Sequence, residues 1–138
     1  MEENNKTEEV KVGHYKVESI LLIESNFSRN LSFDRNEQEV INEINLSHEI
    51  LEDLVENKFG IILKLEFTGK QLDFILCTAT IKMLGVFEKI GDPALPEDMF
   101  KKINAPAIIY PFIREHLHNI SLKANIVNVL LPTVNFKV

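Results

Sequence analysis

From Tyr15 to Phe27 the chain reads Y-K-V-E-S-I-L-L-I-E-S-N-F, with Tyr15, Val17, Leu21, Ile23 and Phe27 at odd positions and Lys16, Glu18, Glu24 and Asn26 between them. Successive side chains of a strand point to opposite faces, so this period of two predicts a long, half-exposed strand. The next alternating stretch, from Val40 to about Ile50, sets Val40, Ile44, Leu46 and Ile50 on one side, with Asn42 and His48 interrupting the row. The clearest pattern follows. Ile61, Leu63, Leu65 and Phe67 face one way, T-G-K-Q makes a short connection, and a second β-rich run reaches Met83. Gly69 can take the positive φ that a tight hairpin turn demands, so the third and fourth strands are expected to form a hairpin.

Beyond Met83 the alternation is broken by Gly85, Gly91, Asp92, Pro93 and Pro96, and L-P-E-D-M-F-K-K opens like a short helix with two acids in its first turn. The spacing then changes to three and four. Ile108, Ile109, Phe112, Ile113, Leu117 and Ile120 mark an amphipathic helix from about Ala105 to Lys123, with Asn104 placed to cap it. Pro106 sits in the first turn at no hydrogen-bond cost, whereas Pro111 removes a backbone bond and is expected to kink the helix. The remainder, V-L-L-P-T-V-N-F-K-V, reads as extended.

Four strands, a crossover and one long kinked helix predict an α+β domain, a four-stranded antiparallel sheet with the helix packed on one face. Residues 1–13 read as a flexible acidic tail and 14–138 as a single domain. One helix covers one sheet face, yet Ile20, Leu21, Leu22 and Ile23 are consecutive, as are Phe74, Ile75, Leu76 and Cys77. Apolar residues on both faces predict a second surface that meets a partner, either another copy of the chain or a ligand.

Composition narrows the function classes. The 138 residues are 45% hydrophobic and 26% charged, enough apolar material for one core. A formal charge of -6 argues against gripping phosphate backbones, which depends on Lys and Arg. The acidic stretch after Met1 lacks the positive start and apolar run of an export signal, and the longest apolar run is far short of a bilayer span, so a soluble cytoplasmic protein is expected. Cys77 is the sole cysteine, which precludes an intrachain disulfide; its apolar neighbours would raise the thiol's pKa.

Chemistry-bearing patterns are sparse. The five glycines stand singly and form no phosphate loop, so no nucleotide cofactor is expected. His116 and His118 are two apart, about 200° around a helix, which does not suit a shared metal; both read as solvated polar positions. No catalytic residue is expected, and the chain reads as a non-enzyme.

The run P-A-I-I-Y-P-F-I-R-E-H-L, followed after a gap by L-L-P-T-V-N-F, resembles the signature of the SecB chaperone family, P-x-x-L-F-P-Y-A-R-E leading to L-A-P-V-N-F. The matches are Pro106, Pro111, Arg114 and Glu115, then Leu131, Pro132, Val134, Asn135 and Phe136. F-S-R-N-L-S-F-D, from Phe27 to Asp34, is similar to the family's Y-x-K-D-I-S-F-E, and F-I-L-C of the fourth strand is a third anchor. The three lie in family order across nearly the whole chain.

The resemblance implies an ATP-independent holdase that binds unfolded polypeptides, serves preprotein export, and assembles as a homo-oligomer, a dimer of dimers. A holdase needs adaptable apolar surface and an acidic body that keeps it soluble. Val40, Ile44, Leu46, Val86, Phe87, Phe100, Ile109 and Phe112 are the candidate client contacts. Each could equally serve the core or a subunit interface. The motor SecA is an implied partner, but its facing positions fall here on Asn30, Asp34 and Thr78, of which only Asp34 is acidic. The chain ends at Val138 without the family's second helix and tail. These departures leave two alternatives: a SecB-like chaperone dedicated to another client, such as an antitoxin, or a structural or ligand-binding domain that merely shares the fold.

Overall fold

The computed structural model describes residues 13–31, 40–72, 74–126, 129 and 131–136. The expected acidic tail lies, but for Gly13, outside them. Four strands, β1 (His14–Arg29), β2 (Ile41–Val55), β3 (Lys58–Gln71) and β4 (Phe74–Ile90), form one antiparallel sheet in the order β1-β4-β3-β2. A single turn, α1 (Glu97–Met99), runs through a π-helical turn (Phe100–Asn104) into α2 (Ala105–Lys123). The fold is the α+β sheet-and-helix arrangement that the periodicity predicts.

α2 packs over β3 and β4. Ile109, Ile113 and Leu117 meet Ile61, Leu63 and Leu65 of β3 and Ile81 of β4, all buried. Gly85 permits this close approach, because a Cβ there would lie 2.8 Å from both Ile109 Cδ1 and the Phe87 ring. Phe74 and the C-terminal residues Ile126, Val129 and Leu131 complete the same core.

Three local expectations change. The β3–β4 turn falls at Leu72, whose φ is 57°, and not at Gly69, which stays in the ladder opposite Cys77. A Cβ at 69 would come within 3.1 Å of Cys77 Sγ, so this glycine serves a close approach. Asn104 makes no side-chain cap: its backbone is already helical, because the π-turn feeds directly into α2. There is no free helix N-terminus there to satisfy.

The third concerns the second sheet face. β1 is bulged between Val17 and Ser19 and again between Leu22 and Glu24, and each bulge shifts the following side chains to the other face. Tyr15, Ile20 and Phe27 thus pack on the helix side, while Leu21 pairs with Leu84 on the other. A further irregularity between Gly69 and Lys70 lets the consecutive Leu76 and Cys77 both be buried. The helix-free face of the central strands carries Lys64, Glu66, Thr68, Thr78, Thr80 and Lys82, with Lys82 3.6 Å from Glu24. Its apolar part shrinks to a patch around Leu21, Ile62 and Leu84. Leu21, Leu22 and Ile23 remain exposed, so the second apolar surface lies along the β1 edge and not across the whole sheet.

Candidate functional site

The crossover between sheet and helix is pinned at one end of the molecule. The Tyr15 ring stacks on Phe100 at 4.0 Å, and Phe100 meets Phe87 edge-on at 5.3 Å and Phe59 at 6.0 Å. The Tyr15 hydroxyl donates to the Leu95 carbonyl at 2.8 Å. Burial raises the Tyr15 pKa, and the Glu97 charge adds to that. Lys101, its side chain only 8% exposed, reaches Glu97 at 2.7 Å and Glu52 at 2.9 Å and lies 4.8 Å over the Phe59 ring. Burial pulls the Lys101 ammonium down, but its hydrogen bonds to Glu97 and Glu52 and their charges outweigh it, and the pKa is raised overall.

The other end of the helical layer holds an extended chain. The Tyr110 hydroxyl donates to the Pro132 carbonyl at 2.6 Å, Arg114 Nε–H to the Leu131 carbonyl at 2.8 Å, and His118 Nδ1 lies 3.3 Å from the Val129 carbonyl. A carbonyl only accepts, so His118 donates through Nδ1–H. Residues 110, 114 and 118 are four apart and share one stripe of α2. The chain they hold continues toward edge strand β2, where Val134 and Phe136 border a cavity of about 240 Å3 with Leu46, His48, Leu63 and Lys102. The Phe136 ring is edge-on to Tyr110 at 5.8 Å.

The β2 row, Val40, Ile44, Leu46 and Ile50, is half-buried against the core. α2 packs over β3 and β4, and among the described residues the extended segment comes beside this row at Leu46, across the cavity that Val134 and Phe136 border. The eight candidate client contacts divide among five places. Val40, Ile44 and Leu46 form the β2 row; Phe87 and Phe100 are buried in the aromatic cluster; Ile109 is buried against Gly85 and Phe87; Val86 lies on the opposite face, and Phe112, 48% exposed, is on α2. Asn30 ends β1, donating its amide N–H to the Leu76 carbonyl and its Nδ2 to the Ile75 carbonyl. Thr78 is exposed on the helix-free face, and Asp34 lies outside the described residues.

The histidines are more engaged than their spacing suggests. His116 Nε2 lies 2.9 Å from Ser25 Oγ, tying α2 to β1, and His118 belongs to the stripe. The signal for the stripe was the four-residue spacing Tyr110–Arg114–His118, hidden because each residue alone reads as ordinary helix surface. Among the described residues no three His, Cys, Asp or Glu side chains are grouped to hold a metal ion, and no helix is long and apolar enough to cross a membrane.

Residues 15–138 match the family model described as preprotein translocase subunit SecB. The chain belongs to the SecB family. The protein-export protein SecB of Saccharophagus degradans is 23% identical over 146 aligned positions, covering 98% of this chain and 85% of that one. SecB of Halorhodospira halophila is 27% identical over 84 positions, 61% of this chain and 49% of its relative. Two of the curated relatives are thus spanned over about half their length. In three dimensions the chain is similar to a SecB-like chaperone of Mycobacterium tuberculosis solved with a ChAD peptide from the HigA1 antitoxin, with a TM-score of 0.76 and 12% identity over 90% of this chain and 93% of that one. At 12% identity that likeness shows a shared fold.

Proposed function

We propose that this SecB-family protein is an ATP-independent holdase that binds unfolded polypeptides along the helix side of β2. The observation that carries the reading is the half-buried row Val40, Ile44, Leu46 and Ile50, beside the strands that α2 packs on, with a cavity of about 240 Å3 between Leu46 and the extended segment. Apolar side chains held half out of water gain free energy from any apolar segment laid over them, at about 25 cal/mol per Å2 removed from water. Such binding is tolerant of sequence, as a holdase requires.

The protein also exposes Val17, Leu21, Leu22 and Ile23 along edge strand β1, and Phe112 and Leu122 on α2. An apolar edge with unpaired main-chain groups is covered in solution by another strand. We assign β1 and the outer face of α2 to homo-oligomer contacts, consistent with a dimer of dimers in the cytoplasm. Light scattering of a chemically denatured model protein diluted into buffer tests the holdase: stoichiometric protein suppresses aggregation without nucleotide. Unchanged aggregation at a tenfold excess contradicts it.

A second reading concerns the client. Asn30 and Thr78 place neutral groups where a SecA-facing surface would carry acids, which favours a dedicated client over preprotein hand-off. The M. tuberculosis neighbour, solved with an antitoxin peptide, supports the same choice. Polypeptides that co-purify with the protein from its own cells distinguish one recurrent partner from many preproteins.

A further inference from the structure

The extended residues 129 and 131–136 are held in an unusual manner. Among the described residues, no main-chain to main-chain hydrogen bond ties this stretch to anything; those outside helices and strands end at Ile126, which donates to Ser121. Its carbonyls are instead taken by the side chains of Tyr110, Arg114 and His118, at positions 132, 131 and 129. Donors that read carbonyls do not read sequence. Specificity is confined to the apolar side chains beneath, with Val129 and Leu131 buried and Val134 and Phe136 partly so. A main-chain ladder with apolar pockets is the general means of binding an extended peptide of loosely defined sequence.

We propose that the α2 stripe Tyr110–Arg114–His118 and the β2 row beside it form a binding site for an extended polypeptide, which the chain's own residues 129 and 131–136 occupy until a client segment displaces them. The client is an extended stretch with apolar residues spaced as in V-x-L and V-x-F, whose carbonyls the three side chains take over. This rests on the holdase reading and adds which surface is used and what guards it. The empty protein keeps the Leu46 part of its apolar row partly covered, and binding exchanges one extended segment for another, so the apolar surface lost from the site is largely restored. The cavity beside Val134 and Phe136 marks where the cover is thinnest, and displacement begins there.

Alkylation of a thiol placed at residue 129 tests the exchange. Val129 is buried, and Val129→Cys changes volume little. Cys77, buried in β4, serves in the same molecule as a control for opening of the sheet. Iodoacetamide modification is followed at both sites by mass spectrometry, without client and with saturating reduced, carboxymethylated lactalbumin, while anisotropy of the labelled lactalbumin confirms binding. The thiol at 129 reacts at least tenfold faster with client present, and Cys77 does not change. Tyr110→Phe in the same background, lacking one of three ties, raises the client-free rate about fivefold, the factor expected for one net hydrogen bond. If Val129→Cys does not fold, Val134→Cys, at a half-buried position, takes its place with the same expectation. Client binding with no change at 129, or a parallel rise at Cys77, overturns the exchange and leaves the holdase reading intact. Absence of lactalbumin binding removes both.

Discussion

Arg114 donates its Nε–H to the carbonyl of Leu131 at 2.8 Å, joining the middle of α2 to the extended chain that follows it. The two residues belong to separate stretches of the SecB-like signature, and this bond is where those stretches meet. A charged donor on a part-buried carbonyl is stronger than a neutral pair. Arg114→Met is therefore expected to lower stability by about 1.5–3 kcal/mol, the range for hydrogen bonds to charged groups. A urea denaturation series reads it, and a midpoint within error of wild type would show that Leu131 is held by packing alone.

Gly85 marks the closest approach of sheet and helix. Its missing Cβ would sit 2.8 Å from Ile109 Cδ1 and from the Phe87 ring and 3.0 Å from Ile109 Cγ1, and Ile109 and Phe87 are both fully buried. Gly85→Val is expected to cost about 1–3 kcal/mol by overpacking, seen as a lower thermal midpoint. Thr80→Val, on the helix-free face, serves as a control with little expected effect.

The Lys101 cluster makes stability depend on acid. The hydrogen bond from Lys101 holds the Glu97 carboxyl below the ordinary range, against the opposing effect of burial, with the Lys101 charge and then Lys89 assisting. Unfolding returns that carboxyl to about 4.3, so its contribution is complete above that pH and fades as pH falls through the lower folded value. The raised Lys101 pKa acts at the other end, its contribution fading only as pH climbs past the unfolded value of about 10.4. Urea midpoints measured from pH 6 to pH 3 should fall more steeply for wild type than for Lys101→Met. Equal slopes would remove the cluster from the acid response.

Cys77 is buried, and burial pushes its thiol pKa up, with a backbone hydrogen bond from Gly69 opposing. Its reaction with a disulfide reagent at pH 8 is expected to be at least a hundredfold slower in the folded protein than in denaturant, because the thiolate is the reacting form. Rapid native labelling would place the residue at an opening in the sheet.

Much of this fold is legible in the sequence because periodicity reports burial. The apolar positions of β3, from Phe59 to Phe67, map directly onto the buried core, as do Ile109, Ile113 and Leu117 of α2, whereas Ile108 and Ile120 are half-buried and Phe112 faces out. The misreadings arise where backbone irregularity interrupts the period. Two bulges in β1 put Tyr15, Ile20 and Phe27 on the core side while Leu21, Leu22 and Ile23 stay exposed, an irregularity beside Gly69 buries Leu76 together with Cys77, and the π-turn at Phe100–Asn104 replaces the expected cap. The site was harder to read. Ile44 and Leu46 are visible as an interrupted row and Tyr110, Arg114 and His118 as a four-residue spacing, but the meeting of that stripe with the carbonyls of residues 129, 131 and 132 is a tertiary contact that no local pattern encodes.

The central claim is that unfolded polypeptide binds along the β2 row, and anisotropy of a fluorescent, permanently unfolded lactalbumin tests it most directly. The double variant Ile44→Glu, Leu46→Glu puts two charges on the row. Circular dichroism and gel filtration first establish that it keeps the wild-type fold and oligomeric size. Wild type is expected to bind without nucleotide, and the variant at least tenfold more weakly. Equal affinity in the two proteins would contradict the account.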